Sequence, residues 1–391
     1  PLPRAGHPAA RLVPQLARMG FLCPAVSAAT ATGPEKETVS ALPRQAWSQP
    51  GEWAGGYTLS APETVHIAIT RRCNQACPGC YVPRPRGDSE LSVSDWCALI
   101  DRWAQMRVFQ LAVGGGEPLL YLGLLDVLRY AGQRGIVPNL TTNGALLDAA
   151  TVRELESAGV ARVNLSWNGP VDDTREPALA FGPALPLLLD SKLQVGVNLM
   201  VTSLLLPCLS DRLAQLWAQG VRKVTILRPK PPAFLNRAGK AWYNAQRLRR
   251  ADLLTLRDIL NTWQKALGVE VDCSLVGLMG DSAPAHLSWR GVYGCAAGRR
   301  ICTVWPDGQV TPCSFLADLC AGSVRQASFA GLWAQGSGWE ALRDPSARSQ
   351  GDCAGCTIAA QCGGTRCMAR YKGVHTAREL CAGDSNCLGI A

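Results

Sequence analysis

Val65-His-Ile-Ala-Ile-Thr70-Arg-Arg-Cys73-Asn-Gln-Ala-Cys77-Pro-Gly-Cys80 decides how this chain is read. An apolar run of strand character delivers three thiols within eight residues, at C-x3-C-x2-C spacing. Such a set reaches three corners of one cubane and leaves the fourth iron without a protein ligand. Soft thiolates suit iron–sulfur clusters. An iron with an open position binds and activates a small molecule instead of only carrying an electron. A structural zinc site is the competing reading of the triplet alone, although such sites ordinarily take four ligands in paired spacing.

The rest of the composition narrows the class. At 391 residues, with 47% hydrophobic and 18% charged, the chain predicts a globular protein of two or three domains with ample core. Its net charge of +9 comes mostly from scattered arginines, which predicts a solvated surface. No nucleic-acid reader motif is visible, so no nucleic-acid partner is expected. No apolar run is long enough to span a bilayer, so no membrane partner is expected either. The outlying number is seventeen cysteines. They fall in metal-like clusters in a long chain that shows no signal-peptide pattern, and the expected compartment is a reducing cytoplasm. With only four histidines, sulfur must do most of any metal binding.

Along the chain, residues 1–60 contain one stretch of helical apolar spacing, Arg11–Leu22, followed by a linker rich in Ala, Thr, Ser, Pro and Gly. From Val65 the pattern becomes strand, loop, helix, repeated. Strands are expected at Val65–Thr70, Val108–Val113, Val137–Thr141, Arg162–Leu165, Gln194–Val201 and Val221–Leu227. Helices are expected near Ser92–Met106, Leu122–Arg134, Ala149–Ala158, Ala178–Leu189, Leu209–Gln219 and Leu248–Leu267. Six such β/α units predict an α/β fold, an open or partial barrel holding ligands at the C-terminal strand ends. Beyond about Val269 the alternation is expected to stop. A Cys-rich second domain is expected from about residue 282 to 391, with the barrel over 61–281.

With the thiol triplet in the loop after the first strand, the chain resembles the radical S-adenosylmethionine (radical SAM) enzymes. That resemblance implies that Cys73, Cys77 and Cys80 hold a [4Fe–4S] cluster whose fourth iron binds SAM, making them the catalytic cysteines. Gly114-Gly115-Gly116-Glu117-Pro118 matches the family's GGE motif after strand two. Its glycines would let the backbone approach the methionine moiety, with Glu117 or backbone carbonyls accepting from the ammonium. Ser166-Trp-Asn-Gly169 matches the stretch after strand four, where Ser166 would meet SAM, with Asn168 in place of the usual Asp. Asn198 on strand five is a further candidate for SAM binding, and Arg175 matches an arginine frequent in these families. One departure concerns the adenine. The family commonly places an aromatic just before the third cysteine, whereas this chain has Gly79, with Tyr81 following the triplet.

The later cysteines resemble the SPASM extension, which implies two auxiliary [4Fe–4S] clusters. Trp305-Pro-Asp-Gly308 leads through Gln309-Val-Thr-Pro to Cys313, as in that family's hairpin. By its interleaved pattern Cys295, Cys302, Cys313 and Cys367 would hold the nearer cluster. Cys353, Cys356, Cys362 and a late cysteine, Cys387 or Cys381 with Cys387 favoured, would hold the farther one. Four-thiolate zinc shares these ligands, and spacing alone does not separate the two.

The resemblance implies an oxidoreductase that cleaves SAM to a 5′-deoxyadenosyl radical and matures a ribosomally made precursor peptide, forming a thioether, crosslink or related product. Arg11–Leu22 resembles the end of a leader-binding element of such maturases. An electron donor of flavodoxin or ferredoxin type is the implied second partner. Tailoring of a tetrapyrrole is the alternative, since haem-pathway relatives share the architecture and a segment like Pro312-Cys-Ser-Phe-Leu316. A non-catalytic iron–sulfur carrier is the third reading.

Overall fold

The computed structural model describes residues 59–77, 79–83, 90–167, 181–230, 237–264, 266–275, 278, 295–336 and 338–343. The chain divides into two units, Pro1–Pro50 and Gly51–Ala391. Several expectations lie outside the described residues: the Arg11–Leu22 helix, Asn168, Arg175, and Cys353, Cys356, Cys362, Cys367, Cys381 and Cys387.

The described part of the second unit is built on a ten-stranded sheet. Its strands are β1 (Thr64–Thr70), β2 (Gln110–Gly115), β3 (Val137–Thr142), β4 (Arg162–Trp167), β5 (Gln194–Met200), β6 (Lys223–Leu227), β7 (Gly268–Val271), β8 (Ile301–Val304), β9 (Gln309–Thr311) and β10 (Gly322–Ser323). Their order is β10-β9-β8-β1-β2-β3-β4-β5-β6-β7, parallel from β8 through to β7 and antiparallel from β8 to β10. β7 and β10 are its edges, so the barrel is partial. Helices α1 (Val93–Gln105), α2 (Leu124–Gln133), α3 (Ala149–Ser157), α4 (Ala184–Leu189) and α5 (Leu209–Ala218) fill the crossovers from β1 to β6. Between β6 and β7 lie α6 (Arg237–Gln246) and α7 (Arg250–Trp263), and α8 (Phe329–Gln335) and α9 (Glu340–Arg343) follow the last strand.

The strands show why one face of this sheet holds a site. Val65, Ile67, Ile69, Leu111, Val113, Leu140, Val163, Leu165, Val197, Leu199, Val224 and Ile226 are buried almost completely. Between them alternate His66, Ala112, Asn139, Asn164, Ser166, Asn198 and Thr225, which are only partly buried. A parallel sheet covered by helices on both faces reads as a continuous apolar run; alternation means that only one face packs against helices. The second face is the polar interior of the partial barrel.

α1 illustrates how the covered face is closed. Ser92 caps it with a capping box, its side chain accepting from the Asp95 N–H while Asp95 accepts from the Ser92 backbone. Trp96, Ile100 and Trp103 recur at helical spacing and are fully buried. Each contributes roughly 1.5–3 kcal/mol by leaving water.

Two elements depart from the sequence expectation. α6 was not expected, and the parallel alternation continues through β7 beyond Val269. The Gly-Val-Glu-Val of β7 is four residues long and exposed on alternate positions, too short a pattern to separate from a loop. β8 pairs with β1, Val65 opposite Cys302 and His66 opposite Thr303, so the sheet runs on from the barrel strands into the described Cys-rich part. No helix among the described residues is long and apolar enough to cross a membrane.

Candidate active site

The triplet loop leaves the C-terminal end of β1 and is gripped by the glycines after β2. Gly116 N–H donates to the Thr70 carbonyl at 2.8 Å, and Glu117 N–H to the Arg72 carbonyl at 2.8 Å. This approach excludes side chains. A Cβ on Gly115, whose φ is +123°, would lie 2.5 Å from the Thr70 oxygen. One on Gly116 would lie 2.7 Å from the Arg72 carbonyl carbon and closer still to its oxygen. The GGE glycines therefore hold the cysteine-bearing backbone against the sheet. On the other side Glu90 accepts from Thr70 Oγ1 at 2.6 Å and from the Arg71 N–H at 3.0 Å.

Glu117 is buried and accepts three hydrogen bonds. Its Oε1 accepts from Thr142 Oγ1 at 2.7 Å and the Leu119 N–H at 3.2 Å, and its Oε2 from the Asn143 N–H at 2.9 Å. Burial raises its carboxyl above the usual range although all three hydrogen bonds pull it down. Asn143 then reaches the triplet loop, its Nδ2 donating to Asn74 Oδ1 at 2.8 Å. The chain of contacts runs from β2 through β3 to the residue between Cys73 and Cys77.

Cys73 and Cys80 are exposed and Cys77 partly so. Burial pushes the Cys77 thiol up, and charge on Cys80 and Cys73 pushes it further, which places the three sulfurs within electrostatic reach of one another. Cys73 accepts from the Gln75 N–H at 3.4 Å. The three-thiol donor set fits an iron–sulfur cluster. Among the described residues, no three or more His, Cys, Asp or Glu side chains are already drawn together as a metal-holding group.

The other candidates sit along the barrel interior. Ser166 and Asn198 are register partners on β4 and β5, side by side near the C-terminal strand ends, with Thr225 next on β6. A mixed charged and aromatic cluster that sequence reasoning missed lies at the same mouth. Lys230, after β6, pairs with Asp272, after β7, at 2.9 Å, and lies 5.0 Å from the Phe315 ring centroid. Burial opposes ionisation of Asp272, but the Lys230 charge and the Ser274 hydrogen bonds outweigh it and hold the carboxyl low. Phe315 stacks at 4.9 Å on Tyr81, whose phenol is pushed to about 12 by burial and by charge on Cys80 and Cys313. Tyr81 thus lies between the triplet loop and Cys313. His66 is lowered to about 4 by burial and the nearby Lys230, so it is neutral at pH 7. Lys230 falls just past a strand that the sequence makes legible, whereas Asp272 follows β7, whose pattern is not.

Thr303, Trp305 and Thr311 share the interior face, where Trp305 Nε1 donates to Thr311 Oγ1 at 2.9 Å and Thr303 meets Ser314 at 3.1 Å. Cys302 alternates with Thr303 and projects with Val304 and Val310 into the apolar layer, fully buried, its thiol raised far above the usual range by burial. Arg343 is the charge beside it. Cys302 thus shares a face with Val65, and Cys313 follows β9 near Tyr81.

The Radical SAM superfamily pattern matches residues 67–179, and the SPASM iron–sulfur cluster-binding domain matches residues 295–357. The chain is 28% identical to the mycofactocin maturase MftC of Mycolicibacterium smegmatis over 80% of this chain and 79% of that one. It is 27% identical to the AdoMet-dependent heme synthase of Oleidesulfovibrio alaskensis over 80% and 85%. The fold is shared with Streptococcus suis SuiB bound to its precursor peptide SuiA, at a TM-score of 0.64 and 16% identity, covering 85% of this chain and 77% of that one. The chain is a radical SAM enzyme with a C-terminal SPASM iron–sulfur domain, using a [4Fe–4S] centre and SAM.

Proposed function

We propose that the protein matures a ribosomally made precursor peptide by oxidative modification, with Cys73, Cys77 and Cys80 holding the cluster to which SAM binds. The observation that carries this reading is the near full-length similarity to a peptide maturase, MftC, on a fold also used by SuiB to hold a precursor peptide. When bound, the reduced cluster and SAM supply a 5′-deoxyadenosyl radical that abstracts hydrogen from the substrate. The chain's own residues do the positioning. The Gly115-Gly116 turn and the Glu117–Asn143–Asn74 relay fix the cysteine loop against the sheet. The carbonyls of that turn accept from the SAM ammonium, while Ser166 and Asn198 donate to its polar groups from adjacent strands.

Two auxiliary clusters, one held by Cys295, Cys302, Cys313 and Cys367 and the other by Cys353, Cys356, Cys362 and Cys387, would accept the electron released by the substrate. The net charge of +9 favours an acidic donor of flavodoxin or ferredoxin type for the first electron. The reaction takes place in the cytoplasm. The test is incubation of anaerobically reconstituted, reduced protein and SAM with the short peptides encoded beside its gene. A mass change confined to one peptide supports the reading. Comparable similarity to a heme synthase favours a second substrate, a tetrapyrrole. Saturable absorbance titration with a tetrapyrrole, and no altered peptide, would replace the first reading by the second.

A further inference from the structure

Position 79 lies inside the triplet, between Cys77 and Cys80, and is glycine for a reason the sequence hides. A Cβ there would fall 2.9 Å from Cε3 of Trp242 and nearer still to its Cζ3 and Cη2. All three atoms belong to the six-membered ring of the indole, so the benzo face of Trp242 is pressed onto the backbone of the cysteine loop. Trp242 comes from α6, 163 residues away in sequence. The far end of α6 is anchored beyond β5, where Ser203 N–H donates to the Gln246 carbonyl at 3.0 Å and Ser203 Oγ to the Ala245 carbonyl at 3.1 Å. α6 thus runs from the segment after β5 to the loop after β1. Trp242 is only partly buried.

Tyr81, the other aromatic beside the triplet, is already committed to Phe315 and turned toward Cys313. We propose that Trp242 supplies the π surface on which the adenine of SAM rests, and that residue 79 is glycine so that the indole can reach the cysteine loop. A purine gains from stacking on an aromatic face in a way that tolerates the absence of base-edge hydrogen bonds. The inference rests on the use of SAM by this site. It makes Trp242 a cofactor-positioning residue delivered from a distant helix.

The test uses the full chain, reconstituted anaerobically, with S-adenosylhomocysteine as the calorimetric probe and iron content as the check on the loop. Trp242→Ala weakens binding roughly ten- to a hundred-fold, the range for losing one base–aromatic stack. Trp242→Phe stays within about threefold, because a smaller ring still stacks. Gly79→Ala drives the indole off the loop and weakens binding as Trp242→Ala does. The double variant Gly79→Ala/Trp242→Ala is no worse than either single, because both remove one interaction. Wild-type affinity in Trp242→Ala overturns the inference alone, as does full additivity of the two losses. Loss of iron in both Trp242→Ala and Trp242→Phe overturns it too, by making Trp242 a brace of the loop. A wild-type protein that holds its iron but binds no S-adenosylhomocysteine overturns the SAM reading with it.

Discussion

Replacing Glu117 by Ala removes one acceptor group from three donors at once: Thr142 Oγ1, the Leu119 N–H and the Asn143 N–H. Thr142 is fully enclosed, and its hydroxyl loses its only carboxylate partner. A buried donor left unsatisfied costs about 1–3 kcal/mol, and the two backbone donors nearer the surface about 1 kcal/mol each after water enters. Against this, the native carboxyl carries a burial penalty, evident in its raised pKa, which the substitution relieves. The net loss is about 2–4 kcal/mol. Urea unfolding of the cluster-free chain, followed by circular dichroism, reads it. Glu117→Gln, which keeps one carbonyl acceptor but sets an amide donor against one of the three, loses about half as much. Because Asn143 passes the restraint on to Asn74, Glu117→Ala also retains less iron after reconstitution. A Glu117→Ala protein within about 0.5 kcal/mol of wild type, with full iron, would refute the clamp.

Two further outcomes follow from the same contacts. His66 has a folded pKa lowered from 6.5 to about 4, so as pH falls the unfolded chain takes the proton first. Its contribution is present above pH 6.5 and is lost between there and about pH 4. It amounts to at most about 3 kcal/mol. His66→Gln abolishes this part of the acid sensitivity in unfolding measured from pH 7 to pH 4; a parallel loss in both proteins would contradict the assignment. Cys302→Ala lowers the iron content of the reconstituted chain as much as Cys313→Ala does, the loss expected when each supplies one ligand. Full iron in Cys302→Ala, with a packing cost of about 1 kcal/mol, would remove that buried thiol from the ligand set.

What the sequence made legible was periodic or local. Strand alternation through β6, the Ser92 cap and the glycines beside Glu117 each follow from residues a few positions apart, and all stand in the structure. What stayed hidden depends on long-range packing. Nothing near Gly79 announces a Trp242 ring, and nothing in Lys230 announces an Asp272 on the neighbouring strand. Cys302 reads as a ligand when cysteines are counted along the chain. That its thiol shares a face with Val65 shows only once β8 is registered on β1, because a strand sends successive side chains to opposite faces. The contacts of the Glu117 carboxylate with Thr142 and Asn143 were hidden as well, because only the β2–β3 pairing brings them together.

The central claim is that the loop from Cys73 to Cys80 holds a cluster with one iron open to SAM. Mössbauer spectra of the reconstituted protein, compared with a Cys73→Ala/Cys77→Ala/Cys80→Ala variant, test it most directly. The account predicts that the variant loses one cubane, and that SAM alters a single iron site in wild type and none in the variant. Identical spectra for the two proteins, or zinc in place of iron at the triplet, would contradict it.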